Sequence, residues 1–315
     1  MTTTPSRALI LAAEALQAGR LVAVPTETVY GLAANAYDAR AVAAIFTLKG
    51  RPSSNPLISH FKDAESAFAH VEPHAMAARL AEAFWPGPLT LVMKKRETSA
   101  LCSLVSAGLP HVAVRVPAHP MMQELLRLVD FPLAAPSANP SECISPTSAD
   151  HVRGYFGQNE GLSLILDGGV CDKGLESTVV GLFEDGPTLL RPGGVTRQAL
   201  ESVLGVPLLS PPQHPTRLLS PGQMLRHYAP KNARVRLNAT HVEEGEALLA
   251  FGPTHLVGTP TLNLSLTGNL EEAAHNLFEM LGALDASGAA SIAVMPIPSA
   301  GIGEAINDRL KRASA

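Results

Sequence analysis

From residue 6 to about 205 the apolar positions change period repeatedly, from the three-to-four spacing of an amphipathic helix to short continuous runs of strand length. This spacing predicts helices over 6–18, 38–48 and 73–84, and strands over 20–24, 56–60 and 88–93. Further strands are predicted at 111–116, 132–135, 162–167, 177–183 and 187–191. Several of these are separated by short turns rather than full crossovers. The pattern therefore points to an α/β fold on an open, twisted mixed sheet, not to a simple doubly wound order.

The pattern breaks between Gly205 and Lys231, where Pro207, Pro211, Pro212, Pro215, Pro221 and Pro230 exclude a helix or a central strand. Residues 206–231 read as a linker, yet it carries Arg226, His227 and Tyr228 together, side chains that flexible linkers seldom use. Beyond it, apolar runs at 233–237, 246–251 and 291–295 and helical spacing at 269–285 and 303–312 predict a second, smaller α/β unit of open-sheet type. The expected organisation is a larger domain over 1–205, the proline-rich linker, and a small α/β domain over 232–315. No internal repeat is visible.

Composition narrows the function. Hydrophobic residues make up 46% and charged residues 17% of the chain, a globular balance. Lys and Arg number 24 against 28 Asp and Glu, a formal charge of −4, so any site for a polyanion must be local. Cys102, Cys143 and Cys171 lie far apart with no C-x-x-C pair, which argues against a disulfide framework or structural zinc and fits a reducing cytoplasm. Arg7, Glu14 and Gln17 interrupt the first apolar stretch, so it reads as an amphipathic helix rather than a signal peptide or membrane span.

Candidate chemistry gathers at strand ends. Strand 20–24 runs into Pro25-Thr26-Glu27-Thr28-Val29-Tyr30-Gly31-Leu32, hydroxyls and a carboxylate where α/β sheets place ligands, or else an ordinary threonine-rich turn. Helix 38–48 ends in Lys49-Gly50-Arg51-Pro52-Ser53-Ser54-Asn55-Pro56, suited to a triphosphate clamp; equally, cations at a helix C-terminus complement its dipole. His60 and Arg115 each close a strand, Arg115 either solvated or aimed at a carboxylate. Small residues in Ala135-Pro136-Ser137-Ala138-Asn139 leave room for close approach to a ligand, and Ser177 and Arg191 lie near the termini of adjacent segments.

In order, PTETVYGL, KGRPSSNPL, WPGPLT, VAVRVP, APSANPS, ESTVV and LLRPG resemble the YrdC-like threonylcarbamoyl-AMP synthase family over 6–205. SPGQMLRHYAP and GIGEAINDRLKRAS resemble its two-domain form, which implies a catalytic domain over 1–205 and a Rossmann-like domain over 232–315. The resemblance implies a deep, positively lined cavity that takes L-threonine, bicarbonate and ATP with Mg²⁺. It assigns Thr28, His60, Arg115, Ala135 and Ser177 to threonine, and Lys49, Arg51, Asn55, His111, Ser137, Ser145, Arg191 and Tyr228 to ATP. Lys49, Arg51 and Arg191 take the catalytic role of offsetting phosphate charge. Arg226, His227 and Tyr228 are expected to fold over the cavity as a lid.

The sequence departs from the family at two places on the nucleotide side. His111 stands where a Thr is usual, and SECISPT replaces SGKPSPT, so Glu142 adds charge and stiffness while a lysine is lost. Implied partners are the machinery that transfers the threonylcarbamoyl group to tRNA and, as an open option, a weak contact with tRNA itself, with no membrane. The alternatives are a double-stranded RNA-binding module, which the −4 charge weakens, and an O-carbamoyltransferase-type maturation factor, which the missing C-x-x-C pairs oppose.

Overall fold

The structure is a computed structural model and describes residues 5–211 and 227–315. Its first part runs α1 (Arg7–Gln17), β1 (Leu21–Val24), β2 (Gly31–Asn35), α2 (Ala39–Lys49), β3 (Ile58–His60), α3 (Ala64–Phe68), α4 (Ala75–Phe84), β4 (Leu89–Lys94) and β5 (His111–Arg115). There follow α5 (Pro120–Leu128), β6 (Leu133–Ala134), α6 (Ala149–Phe156), β7 (Leu162–Ile165), β8 (Thr178–Phe183), β9 (Gly186–Arg191) and α7 (Arg197–Leu204). The second part holds β10 (Arg234–Arg236), β11 (Ala247–Ala250), β12 (Thr261–Asn263), α8 (Leu270–Asp285), β13 (Ser291–Val294) and α9 (Gly303–Ala313).

Nine strands form one mixed sheet in the order β7-β1-β2-β6-β3-β5-β4-β8-β9. Parallel pairs β3/β5 and β4/β8 alternate with antiparallel ones, so the open mixed sheet is as the sequence predicts. The second sheet, β10-β13-β11-β12, is parallel throughout. Strand β2 was not anticipated. Its sequence GLAAN has weak strand propensity, and the ladders to β1 and β6 impose the conformation. Helix α5 was also unforeseen, although Pro120 at its first turn is a start signal.

Strand register decides where the site lies, because side chains two apart share a face. Val24, Ala33 and Leu133 pack under α1 and α5, whereas Leu32, Ala34, Val112 and Val114 belong to the main core on the other face. Leu133 pairs with His60, His60 with Arg115, Arg115 with Thr90, and Thr90 with Val179, which in turn faces Arg191. All these residues therefore lie on the face that carries α1 and α5, beyond the strands those helices cover. A bulge sets both Leu190 and Arg191 opposite Val179, which lets an apolar residue and a guanidinium occupy the same face.

The two parts share a core. Val29, Ile144 and Leu175 of the first pack with Leu277, Phe278 and Ile306 of the second, and Tyr228 joins them. Lys231, Asn232 and Ala233 donate backbone N–H groups to Asp285 at 2.8–2.9 Å, which fixes the chain's entry into the second sheet.

Candidate active site

On that face a cavity opens, with Gly31, Ile58 and Ala135 among its lining. One group of its residues is Thr26, Thr28, His60 and Arg115. In the turn after β1, Thr26 Oγ1 accepts from the N–H groups of Thr28 and Val29 and donates to the Val29 carbonyl at 2.6 Å, folding PTETV into a hydroxyl-bearing loop. Arg115 donates from Nη1 to Thr28 Oγ1 (3.1 Å), from Nη2 to Glu27 Oε1 (2.6 Å) and from Nε to the Gly87 carbonyl (3.2 Å). Among the described residues, two of its five N–H donors are left for a ligand. Glu27 also accepts from Ala118 N, so both its oxygens are engaged.

Burial and the neighbouring Arg115 push the His60 imidazole down to about 3, which keeps it neutral. Its Nδ1 is buried without a hydrogen-bond partner among the described residues.

A second group comprises Arg51, Ser137, Glu176, Ser177, Arg191, His227 and Tyr228. Arg51 is braced by the Asn55 and Pro56 carbonyls at 3.1 and 2.9 Å, and burial together with Arg191 lowers it to about 9. Arg191 is held by Ser177, whose carbonyl it meets at 2.9 and 3.1 Å and whose Oγ it meets at 3.2 Å. Ser177 in turn shares a hydrogen bond with Thr90 at 2.8 Å. Gly193 permits this arrangement, since a Cβ there would collide with the backbone of Glu176, Ser177 and Thr178.

Tyr228 adopts φ +63°, an αL backbone rare for an aromatic residue, and is fully buried against the cavity with its hydroxyl unpartnered among the described residues. His227 beside it is pushed down to about 3, chiefly by burial. Arg226 lies outside the described residues.

Four sequence-assigned residues do not line the cavity. Lys49 is 3% exposed, and its Nζ is bound to the Ser137 carbonyl at 2.5 Å and to the Asn139 carbonyl, so it staples the end of α2 to that loop. Burial, then Arg51, lowers its ammonium well below the usual lysine range. Asn55 is buried behind Arg51 and supplies a carbonyl. Ser145 donates to Glu176 Oε1 at 2.5 Å from behind the carboxylate.

His111, which the resemblance assigns to ATP, is the fourth residue outside the cavity lining. It shares the Arg115 face of β5 but sits four residues, about 13 Å, back along the strand. There it packs edge-on against Phe183 at 5.1 Å, in a separate surface groove with Glu72 and Lys94.

The Glu142 expectation also changes. Its side chain is exposed and outside the cavity lining, while its backbone takes φ +71°, so the departure from glycine introduces strain rather than charge at the site. Glu142→Gly is expected to stabilise the protein by about 1 kcal/mol through relief of that αL cost. A thermal melt checks this, and an unchanged or lower Tm would contradict it.

Sequence reasoning noted a carboxylate in the first turn without seeing that Glu27 would anchor Arg115. It missed Arg309 altogether. The signal was a cation on the apolar face of the last helix, among Ala305, Ile306, Leu310 and Ala313, where it is 1% exposed.

Residues 14–193 match the Sua5/YciO/YrdC family profile, described as telomere recombination. Residues 195–315 match the profile described as threonylcarbamoyl-AMP synthase, C-terminal domain. The threonylcarbamoyl-AMP synthase of Pyrococcus abyssi is 41% identical over 324 residues, covering 96% of this chain and 93% of that protein. The Bacillus subtilis protein of the same name is 37% identical over 327 residues, covering 96% and 92%. The crystal structure of P. abyssi Sua5 complexed with L-threonine superposes with a TM-score of 0.89 at 38% identity, covering 97% of this chain and 94% of that one.

Proposed function

The chain belongs to the threonylcarbamoyl-AMP synthase family, with both its N-terminal and C-terminal parts, and on that premise we propose that it makes threonylcarbamoyl-AMP and pyrophosphate from L-threonine, bicarbonate and ATP. One observation carries the reading: Arg51, Arg115 and Arg191, from three separate segments, line a single buried cavity beside the neutral His60. Arg115 with Thr28 and His60 suits an amino acid carboxylate and hydroxyl. Arg51 and Arg191 suit the phosphates of a nucleotide.

In this reaction the threonine amine adds to the carbon of bicarbonate-derived carbon dioxide, giving a carbamate and releasing a proton. A carbamate oxygen then attacks the α-phosphorus, the bond to the bridging oxygen breaks, and pyrophosphate departs with the electron pair. No covalent bond to the protein forms. The protein's share is to align the two reactants and to offset charge developing on the phosphates, and the unengaged donors of Arg51 and Arg191 are placed for that. His227 and Tyr228 close the cavity over the acyl phosphate-like product, which water would hydrolyse.

Magnesium enters this scheme only as part of the nucleotide substrate. Glu176 and Glu27 have both oxygens engaged, and no cluster of three metal-ligating side chains exists among the described residues. Among the described residues neither of these carboxylates is free to hold the ion, and the arrangement proposed is an ion carried by the triphosphate itself.

The product would pass to tRNA-modifying machinery in the cytoplasm, which accommodates the three free cysteines. No described helix is long and apolar enough to cross a membrane.

The test is pyrophosphate release with threonine, bicarbonate and MgATP, each omitted in turn. Release is expected only with all three, and release without threonine would refute the reading. Within that assay Arg51→Ala is expected to raise the ATP KM about 100-fold with the threonine KM little changed, the loss of one strong charged contact or two. Equal effects on both substrates would remove Arg51 from the phosphate role.

A further inference from the structure

Arg309 belongs to the last helix of the second domain, yet its guanidinium touches three segments of the cavity. Its Nε donates to Glu176 Oε2 at 2.9 Å, and Nη1 donates to the carbonyl of Pro192, the residue after Arg191, at 2.8 Å. Its central carbon lies 5.3 Å from the centre of the Tyr228 ring, within cation–π range. Asp308 accepts from Nη1 at 2.8 Å, and Nη2 is buried with no partner among the described residues.

A fully buried ion pair is a poor device for stability alone, because apolar residues of similar volume serve the same core as well or better. This one sits where residues of the cavity meet, not in the centre of either core.

We infer that Arg309 is a positioning residue of the active site: it fixes the Glu176 carboxylate, the turn after Arg191 and the Tyr228 ring together, and so makes the second domain part of the catalytic apparatus. This rests on the cavity being the ATP and threonine site. Two further contacts support it. The His227 N–H donates to the Arg312 carbonyl at 3.2 Å, so α9 also holds the closing segment by its backbone, and Tyr228 stacks on Phe278 of α8 at 5.4 Å. On the other side Ala229 N–H donates to the Glu142 carbonyl at 2.8 Å. Residues 227–229 are thus clasped between the two domains.

Electrostatics point the same way. Burial works to raise the Glu176 carboxyl, but Arg309, then Arg191 and the Ser145 hydroxyl, bring it down to about 2. The groups facing it are Arg309 and Asp308 of α9, Arg191 of β9, Ser145, and His227 and Tyr228 of the closing segment. Without Arg309 the burial contribution meets less opposition, and the carboxyl moves up toward neutrality.

The experiment compares Arg309→Met, Glu176→Gln and the double variant in the full-length protein. Arg309→Met is expected to speed amide exchange at 227–229 and to lower kcat/KM for ATP about 10- to 100-fold, as misplacement of reactants does. Its activity should also gain an acid limb, rising with pH as Glu176 ionises, which the double variant lacks. The double variant removes both partners of the pair instead of stranding one, so it should melt closer to the wild type than Arg309→Met does while its turnover stays low.

Wild-type turnover in the double variant, or wild-type exchange at 227–229 in Arg309→Met, would overturn the inference. Should the wild type itself release no pyrophosphate with threonine, the functional reading fails, while the exchange measurement still decides whether Arg309 holds the closing segment.

Discussion

Replacing Arg115 by Lys is expected to raise the threonine KM about 100- to 1,000-fold, while ATP affinity measured without threonine changes less than about twofold. The side chain is fixed by the Gly87 carbonyl, Thr28 Oγ1 and Glu27, so its remaining donors form a planar fork prepared for a carboxylate. Lysine keeps a charge beside Glu27 but loses the fork, which isolates recognition from stability. Alanine would not isolate it: Glu27 is buried, and removing its partner costs about 3–5 kcal/mol of folding free energy. Titration of threonine by calorimetry and steady-state kinetics read the two effects separately. An unchanged threonine KM in Arg115→Lys would mean that the carboxylate is held elsewhere.

The fold was legible wherever an element carried its own periodicity. Helices α1, α2, α4, α8 and α9 and most strands follow from apolar spacing, and the two-sheet organisation follows with them. Elements whose conformation is imposed by neighbours were not legible: β2 is built of small residues, and α3 spans only five. The same division runs through the site. Arg51, Arg115 and Arg191 stand beside prolines or at strand ends, positions where a cation invites explanation, and they do converge.

Lys49 has the same local signature but a different fate. Which way its ammonium turns depends on the loop at 137–139, 88 residues away in sequence for Ser137, and nothing in the helix itself reveals that. His111 was assigned through a departure from the family pattern, and it stands at the start of β5, four residues before Arg115 and outside the cavity lining. Glu27 and Arg309 act by pairing across 88 and 133 residues respectively, so a reading of either segment alone leaves each as an ordinary charged side chain.

The buried histidines give the second large effect, loss of stability on acidification. His60 and His227 are each held near 3 by burial, the cations around them adding to it, whereas in the unfolded chain a histidine titrates near 6.5. Between those values the unfolded state binds a proton that the folded state refuses. Stability therefore falls as pH drops below about 6.5, and the slope ends only near 3.

Each histidine contributes about 1.4 kcal/mol per pH unit, so the pair removes roughly 5 kcal/mol between pH 6.5 and 4.5. That is comparable to the whole stability of many domains, roughly 5–15 kcal/mol. Glu176 acts in the same direction further down, because its folded value of about 2 lies below the ordinary carboxyl range and its contribution is lost as pH falls through that interval. Urea titrations across pH 4.5–7.5 should show the unfolding free energy dropping with a slope near two protons. His227→Phe, which leaves an aromatic ring against Tyr228 but nothing to protonate, should reduce that slope by about one proton. Stability independent of pH over this range would show that both imidazoles reach water in the folded protein, and the cavity would then not be the dry enclosure on which product protection depends.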